Sequence, residues 1–277
     1  MLIGCAVNNK DLKKLNFLSQ NFNAFALMNQ LKPNLTSLGE YQSAQEAIAQ
    51  INKYTKNIRG SCILWHRNLP VFSLNNSKKF YSWLESLFEF SNQNNLNKWD
   101  ILNEAIADNG FLRSIWHEYN IIFEAIKTAN KYNIKTYYCD YRVHIKSKQE
   151  GILELLMSLK KHGLHGFSLQ IHYTAERFLL VADRIANFIS RIQFMGLEVD
   201  ISEVTLWNKT GFKPIQVMAY EKLAKLALNA NIKTIIFWGY SDRSVWRHPE
   251  YRPHPFDLEN RPKQCWVNFN RALNISA

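Results

Sequence analysis

The sequence predicts an α/β protein, a single (β/α)8 TIM barrel in which residues 1–277 form one domain. Eight short apolar segments, each typical of a buried strand, alternate with segments of helical periodicity. No stretch rich in Pro, Gly or Ser divides the chain. Such alternation implies a parallel sheet, and a length of 277 residues suits the closure of eight β/α units into a barrel.

The first half of the chain contains four of the predicted strands. Apolar runs place them at residues 3–7, 22–28, 58–66 and 98–105. Helices are predicted over 11–21 and 80–90, and a third follows the second strand. Its apolar residues recur every three or four positions, at Ala44, Ala47, Ile48, Ile51 and Tyr54.

The second half repeats the pattern without interruption. Strands are predicted at 134–141, 166–173, 196–203 and 232–238, and helices over 122–129, 152–159, 178–192, 217–227 and 265–273. Gly163 and Gly196 lie four residues after the last apolar positions of two of these helices, where glycine commonly ends a helix.

Two of the predicted strands deliver a glutamate at their carboxyl ends. Glu104 ends the fourth strand and Glu203 the seventh. In a β/α barrel the side chains at these ends converge on the face that carries the chemistry. Two facing carboxylates are the groups that cleave glycosidic bonds. The other interpretation, two unrelated surface glutamates, leaves unexplained why both follow apolar strands.

Composition limits the partners. The net charge of +11 fits either a solvated basic surface or attraction to an anionic partner, and polysaccharide ranks above nucleic acid because no nucleic-acid-binding motif is present. No signal peptide or membrane-spanning segment is evident, which predicts a cytoplasmic protein as written, or a secreted or periplasmic one if a leader was removed. The cysteines lack metal-site spacing and are expected to be reduced core residues: Cys5, Cys62, Cys139 and Cys265.

Five segments, in order along the chain, carry a family resemblance. Residues 59–66 resemble R-G-H-x-x-x-W-H, residues 99–105 resemble W-D-x-x-N-E-A, and residues 166–172 resemble G-x-x-x-Q-x-H. Residues 196–203 resemble G-L-x-x-x-x-[TS]-E, and residues 237–239 with Trp246 resemble a tryptophan-bearing eighth strand and loop. These are motifs of the family 10 glycoside hydrolases, the endo-β-1,4-xylanase family, and the resemblance covers nearly the whole chain.

The resemblance implies roles for twelve residues. Glu104 would be the acid/base, Glu203 the nucleophile, His172 the residue that orients Glu203, and Asn103 a contact to the sugar 2-hydroxyl. The implied substrate-binding residues are Asn29, Lys32, Trp65, His66, Tyr141, Gln170, Trp238 and Trp246. No cofactor and no catalytic metal are expected.

Departures from the family pattern concern substrate contacts. Met28 replaces a glutamate, and a thioether cannot accept hydroxyl hydrogen bonds as a carboxylate does. Ser61 replaces the histidine of R-G-H, and Asn68 replaces a glutamine. Thr205 replaces an aspartate that supports the histidine, which leaves the tautomer of His172 undetermined.

The predicted function is therefore a retaining endo-β-glycosidase that acts on a polysaccharide, either xylan-like or an acidic or substituted variant. Two alternatives on the same barrel stay open. One is a carbohydrate-binding protein whose catalysis is weakened through Ser61 and Thr205. The other is a transglycosylase, in which a sugar instead of water intercepts the covalent intermediate.

Overall fold

The computed structural model describes residues 1–116 and 120–275, and in these ranges eight parallel strands form a closed barrel. The strands follow one another in sequence order and the last pairs with the first. They are β1 (Leu2–Val7), β2 (Ala24–Leu27), β3 (Ile58–Trp65), β4 (Lys98–Asn103), β5 (Lys135–Tyr141), β6 (Gly166–Thr174), β7 (Glu198–Trp207) and β8 (Thr234–Phe237). The predicted (β/α)8 barrel is confirmed.

Helices surround this barrel. They are α1 (Leu15–Leu18), α2 (Pro33–Thr36), α3 (Gln42–Ile51), α4 (Ser77–Gln93), α5 (Asn120–Lys131), α6 (Lys146–Lys160), α7 (Ala175–Phe194), α8 (Lys213–Asn229) and α9 (Gln264–Ile275). Gly163 and Gly196 adopt positive φ values, of +93° and +77°, just after α6 and α7. None of the helices in the described ranges is long and apolar enough to cross a membrane.

The first predicted helix is shorter than expected. Residues 11–21 form only a 3-10 turn (Leu12–Lys14) followed by α1. The side chain of Asn21 donates a hydrogen bond to the carbonyl of Phe17 at 3.1 Å, and its backbone N–H bonds elsewhere. A side chain that takes this carbonyl competes with continuation of the helix, so the segment turns toward β2.

Strand β7 carries an irregularity that matters for the site. Leu169 pairs with Ile201, but the next residue of β6, Gln170, pairs with Glu203, so β7 has one extra residue, Ser202. Such a bulge changes the direction in which the following side chains point. Glu203 was predicted to end its strand, yet β7 continues to Trp207 because it stays paired with β6 up to Thr174.

Candidate active site

The carboxyl ends of the strands surround a cleft with a volume of about 1060 Å³. Eleven of the twelve predicted site residues line it: Asn29, Lys32, Trp65, Asn103, Glu104, Tyr141, Gln170, His172, Glu203, Trp238 and Trp246. The exception is His66, which is absent from the lining, although its ring centre lies 6.4 Å from that of Trp65. Side chains from distant segments thus converge on one concave surface.

The carboxylate of Glu203 is buried and held from two sides. Gln170 Nε2 donates to Glu203 Oε1 at 3.0 Å, and His172 Nε2 lies 3.2 Å from Oε2. Gln170 Nε2 also donates to Asn103 Oδ1 at 3.1 Å, so one amide connects β4, β6 and β7. Because the strands fix the origins of these side chains, the carboxylate has a defined position.

Glu104 follows β4 directly and has a left-handed backbone, with φ of +53°. This conformation is uncommon for residues other than glycine, and here it is held by hydrogen bonds on both sides of the residue. The Glu104 N–H donates to the carbonyl of Cys139 at 2.8 Å, and the Arg113 Nε–H donates to the carbonyl of Glu104 at 2.8 Å. The unusual backbone directs Glu104 into the cleft.

Electrostatics favour the protonated form of Glu104. Burial raises the pKa of this carboxyl above its ordinary value, and the negative charges of Glu203 and Asp140 raise the pKa further. The side chain of Trp65 and, to a smaller extent, the positive charge of Arg67 act in the opposite direction and lower the pKa of Glu104. The net effect of these surroundings is a carboxyl group that keeps its proton to a higher pH than an exposed glutamate.

The second ring nitrogen of His172 lacks the aspartate partner that the family pattern implies. Its strand partner in the ladder is Thr205, whose hydroxyl accepts a hydrogen bond from Trp246 Nε1 at 3.4 Å. Nδ1 of His172 is buried and has no hydrogen-bond partner in the described part of the chain. Trp246 packs edge-on against the imidazole, with ring centres 5.3 Å apart. Thr205 therefore positions the tryptophan.

The other departures lie at different depths. Met28 lines the cleft, so its thioether faces the region where the family has a carboxylate. Ser61 is buried within β3 and does not line the cleft. The side chain of Asn68 accepts a hydrogen bond from the backbone of Asn34 at 3.1 Å. Of these three positions, only Met28 lines the cleft.

Several cleft residues were not predicted from the sequence. They are mainly basic and aromatic: Arg67, Arg142, His144, Tyr173, Arg177, Trp207, Lys209, Arg247, His248 and Tyr251. Seven of these ten lie within about three residues of a strand end, which is the one signal that could have indicated them. The sequence could not show which loop residues turn inward, because that depends on how each loop packs against its neighbour.

Metal-binding side chains do not cluster in the residues that the structure describes. There, no group of three or more His, Cys, Asp or Glu side chains is arranged to hold a metal ion. The four cysteines are buried and free, as expected from their positions in apolar segments.

Comparison with known proteins identifies the family. The sequence profile of glycosyl hydrolase family 10 matches residues 1–272. The chain belongs to glycosyl hydrolase family 10. This membership confirms the resemblance stated from the five motifs.

Relatives of this family 10 chain are distant in sequence. It is 27% identical over 300 residues to endo-1,4-beta-xylanase B of Neocallimastix patriciarum, covering 99% of the chain but 34% of that protein. It is 25% identical over 304 residues to a beta-1,4-xylanase of Dictyoglomus thermophilum, covering 95% of the chain and 86% of that protein. The chain therefore spans about a third of one relative and most of the other.

Solved structures agree with the family 10 barrel. An endoxylanase retrieved from a sugarcane soil metagenome superimposes with a TM-score of 0.86 at 20% identity, covering 99% of this chain and 97% of that one. A psychrophilic family 10 endo-beta-1,4-xylanase gives a TM-score of 0.86 at 21% identity, covering 97% of this chain and 96% of that one. At such identities the likeness concerns the fold.

Proposed function

We propose that the chain is a retaining endo-β-glycosidase that cleaves xylan by double displacement. The observation that carries the proposal is that Glu104 and Glu203 line one cleft in different environments. Retaining glycosidases need one carboxyl group that is protonated and one that is ionised. The relatives from Dictyoglomus thermophilum and Geobacillus stearothermophilus are named xylanases, which supports xylan as the substrate class.

In the first step Glu203 attacks the anomeric carbon. A covalent glycosyl ester forms as the bond from that carbon to the glycosidic oxygen breaks, and Glu104 gives its proton to the departing oxygen. The contacts from Gln170 and His172 hold the attacking carboxylate in place. The raised pKa of Glu104 keeps the proton available for this step.

In the second step water replaces the leaving group. Ester formation removes the negative charge of Glu203, which is one cause of the raised pKa of Glu104, so Glu104 ionises more readily. Glu104 then takes a proton from water, and the water oxygen attacks the anomeric carbon and displaces Glu203. Two displacements at one carbon retain its configuration.

Neighbouring side chains would bind the sugar. The side-chain oxygen Oδ1 of Asn103 already accepts a hydrogen bond from Gln170. The side-chain NH2 group of Asn103 can therefore donate to the 2-hydroxyl of the sugar. Trp238 and Trp246 provide aromatic faces for pyranose rings. Asn29 and Lys32 lie at the end of β2 and would contact the glycone side.

A Glu203→Gln variant tests the assigned chemistry. Gln cannot form the ester, so we expect hydrolysis of xylan to fall by at least about a thousandfold, while xylo-oligosaccharide binding measured by calorimetry persists. Glu154→Gln, on the exposed face of α6, is the matched control and should leave the rate unchanged. The proposal would be contradicted by a wild-type protein that binds β-glycans but cleaves neither xylan nor any other neutral or acidic β-glycan.

The finer part of the proposal is that the substrate carries acidic substituents. Six lysine and arginine side chains line the cleft, against two acidic side chains, Glu104 and Glu203. The six are Lys32, Arg67, Arg142, Arg177, Lys209 and Arg247. Within the described ranges, the side chains of Arg67, Arg177 and Lys209 make no hydrogen bond or ion pair with protein. Unpaired cations beside a polysaccharide cleft favour uronic acid side groups.

A panel of neutral and acidic β-glycans tests this charge preference. For an acidic xylan, we expect Arg177→Gln to raise KM by up to about fivefold, because one exposed ion pair contributes up to about 1 kcal/mol. Added salt should reduce the wild-type advantage on the acidic substrate. Lys161→Gln, an exposed lysine just after the C-terminal end of α6 and outside the cleft lining, is the control and should change neither value. Turnover of unsubstituted xylan alone would refute the acidic preference.

A further inference from the structure

A fully buried lysine contacts a tyrosine of the cleft without lining the cleft itself. Lys148, in the first turn of α6, is 0% exposed. Its Nζ lies 2.9 Å from Oδ1 of the equally buried Asp140 and 3.4 Å from Oδ1 of Asp108. The same Nζ lies 3.5 Å from the ring centre of Tyr141, which lines the cleft. Because lysine is almost never buried unless it is paired, these contacts account for its position.

Asp140 connects this lysine to the turn that carries Glu104. Its Oδ1 accepts a hydrogen bond from the Tyr141 N–H at 2.8 Å, and its Oδ2 accepts one from the Tyr138 hydroxyl. The Ile106 N–H is shared between the Tyr138 hydroxyl, at 3.1 Å, and Asp140 Oδ2, at 3.4 Å. Ile106 lies two residues after Glu104, so this network holds the backbone of the acid/base turn.

The helix itself packs closely on the same turn. A Cβ atom added to Gly151 would lie 2.0 Å from the carbonyl oxygen of Gly110, and one added to Gly110 would lie 2.5 Å from that of Ser147. Backbone therefore touches backbone between α6 and the loop after β4. A shift of the first turn of α6 displaces that loop as well.

We propose that Lys148 is a positioning residue for the acid/base carboxyl of Glu104, and that it acts through Asp140 and Tyr141. This inference rests on the proposed function, in which Glu104 protonates the leaving oxygen. Removing the ammonium leaves a buried carboxylate without its cation and frees the aromatic ring from the charge beside it. Both changes loosen the turn that directs Glu104, whereas the contacts that hold Glu203 come from Gln170 and His172 of β6 and persist.

Leaving-group dependence distinguishes this role from a general loss of structure. In aryl β-xylobiosides, 2,4-dinitrophenolate departs as a stable anion without protonation, whereas phenolate needs a proton from the acid. The ratio kcat/KM reports the first chemical step together with binding. A displaced acid slows that step for the phenyl substrate selectively, and damage to the whole site slows both substrates equally.

The test compares Lys148→Met with Lys146→Met, an exposed lysine of the same helical turn. For Lys148→Met, we expect kcat/KM to fall about tenfold or more on the phenyl xylobioside and to stay within about twofold on the dinitrophenyl xylobioside. Lys146→Met should stay within about twofold on both. Equal losses on the two substrates, or no loss, in the Lys148→Met protein would overturn the inference.

A second variant keeps the test decisive if Lys148→Met fails to fold. Lys148→Met combined with Asp140→Asn removes both buried charges, and the same selective loss on the phenyl substrate is expected because the network to Ile106 loses its carboxylate. A wild-type ratio between the two substrates in this double variant would overturn the inference. If the wild-type protein cleaves neither xylobioside, the proposed function fails and the inference fails with it.

Discussion

The two carboxyl groups of the cleft have different immediate neighbours. Glu203 accepts a hydrogen bond from Gln170 and contacts His172, whereas partial burial and the charges of Glu203 and Asp140 raise the pKa of Glu104. Both are glutamates after apolar segments, and their side chains are chemically identical. The family resemblance suggests which glutamate is the acid/base and which the nucleophile, and the folded chain adds the different surroundings that support the proposed roles.

Glu104 should reduce the stability of the protein at neutral pH. Its pKa is higher in the folded state than the value of about 4.3 for an unfolded glutamate, so its ionisation costs free energy as the pH rises through the folded pKa. Glu104→Gln removes this cost, and we expect a higher melting temperature than wild type at pH 7. Below about pH 4 both proteins are neutral at this position, and the difference should vanish.

Calorimetric melting between pH 4 and pH 8 measures this effect. The exposed Glu154→Gln variant is the control, and its melting temperature should follow that of the wild type at every pH. A lower melting temperature for Glu104→Gln at pH 7, or a gain that persists unchanged at pH 4, would show that the assigned pKa direction is wrong.

At the scale of the element, α6 supports the site through its first turn. Lys148 reaches Asp140 and Tyr141 from this turn, and Gly151 meets the backbone of Gly110. The apolar periodicity of the sequence predicts this helix only from Ile152 onward, whereas in the structure α6 begins at Lys146. Helix periodicity locates the buried face but does not show which polar residue in the first turn points inward.

Gly151→Ala should destabilise the protein although it places a better helix former in α6. Alanine gains about 1 kcal/mol over glycine inside a helix, but its Cβ would lie 2.0 Å from the Gly110 carbonyl oxygen. Since that neighbour is backbone, overpacking should dominate and lower the free energy of unfolding by roughly 1–2 kcal/mol. Urea unfolding measures the change, with the exposed Glu154→Ala as a control near zero. A stabilised Gly151→Ala protein would contradict this close contact.

At the scale of the whole molecule, the barrel interior has an ionic layer below the catalytic one. Arg59 of β3 pairs with Asp100 of β4 at 2.6 Å and with Asp200 of β7 at 3.0 Å, and all three side chains are buried. Lys98 adds a contact to Asp200 at 2.7 Å. These pairs join strands from opposite sides of the barrel, beneath the layer that holds Glu203.

Arg59→Met should strongly destabilise the barrel. It leaves Asp100 buried without its cation, and breaking a buried ion pair on one side costs roughly 3–5 kcal/mol. Arg191→Met is the matched control, because Arg191 pairs with Glu150 at 3.0 Å on the surface. An exposed pair contributes at most about 1 kcal/mol. Urea unfolding should show a much larger loss in the free energy of unfolding for Arg59→Met than for Arg191→Met. Equal losses would contradict the stabilising role of the buried network.

Much of the barrel could be predicted because local patterns report it. Apolar runs located all eight strands. The helix predicted over 11–21 is shorter than expected, where Asn21 bonds to Phe17, and β7 extends beyond its predicted end to Trp207. Strand ends indicated Glu104 and Glu203, and the family resemblance implied the other predicted cleft residues. The basic residues of the cleft, such as Arg177 and Arg247, were not indicated, because the inward turn of a loop depends on packing between loops.

The sequence alone determined the order of the barrel strands, the positions of the two glutamates near strand ends and the positive net charge. Each of these depends only on local composition and spacing. Tertiary structure decided how these parts act together. The extra residue in β7 aligns Glu203 with Gln170, Thr205 receives Trp246 instead of supporting His172, and Asp140 joins Lys148 to the turn of Glu104. The physical reason is that strand register and side-chain burial bring together residues from separate β/α units, and no short segment specifies such contacts.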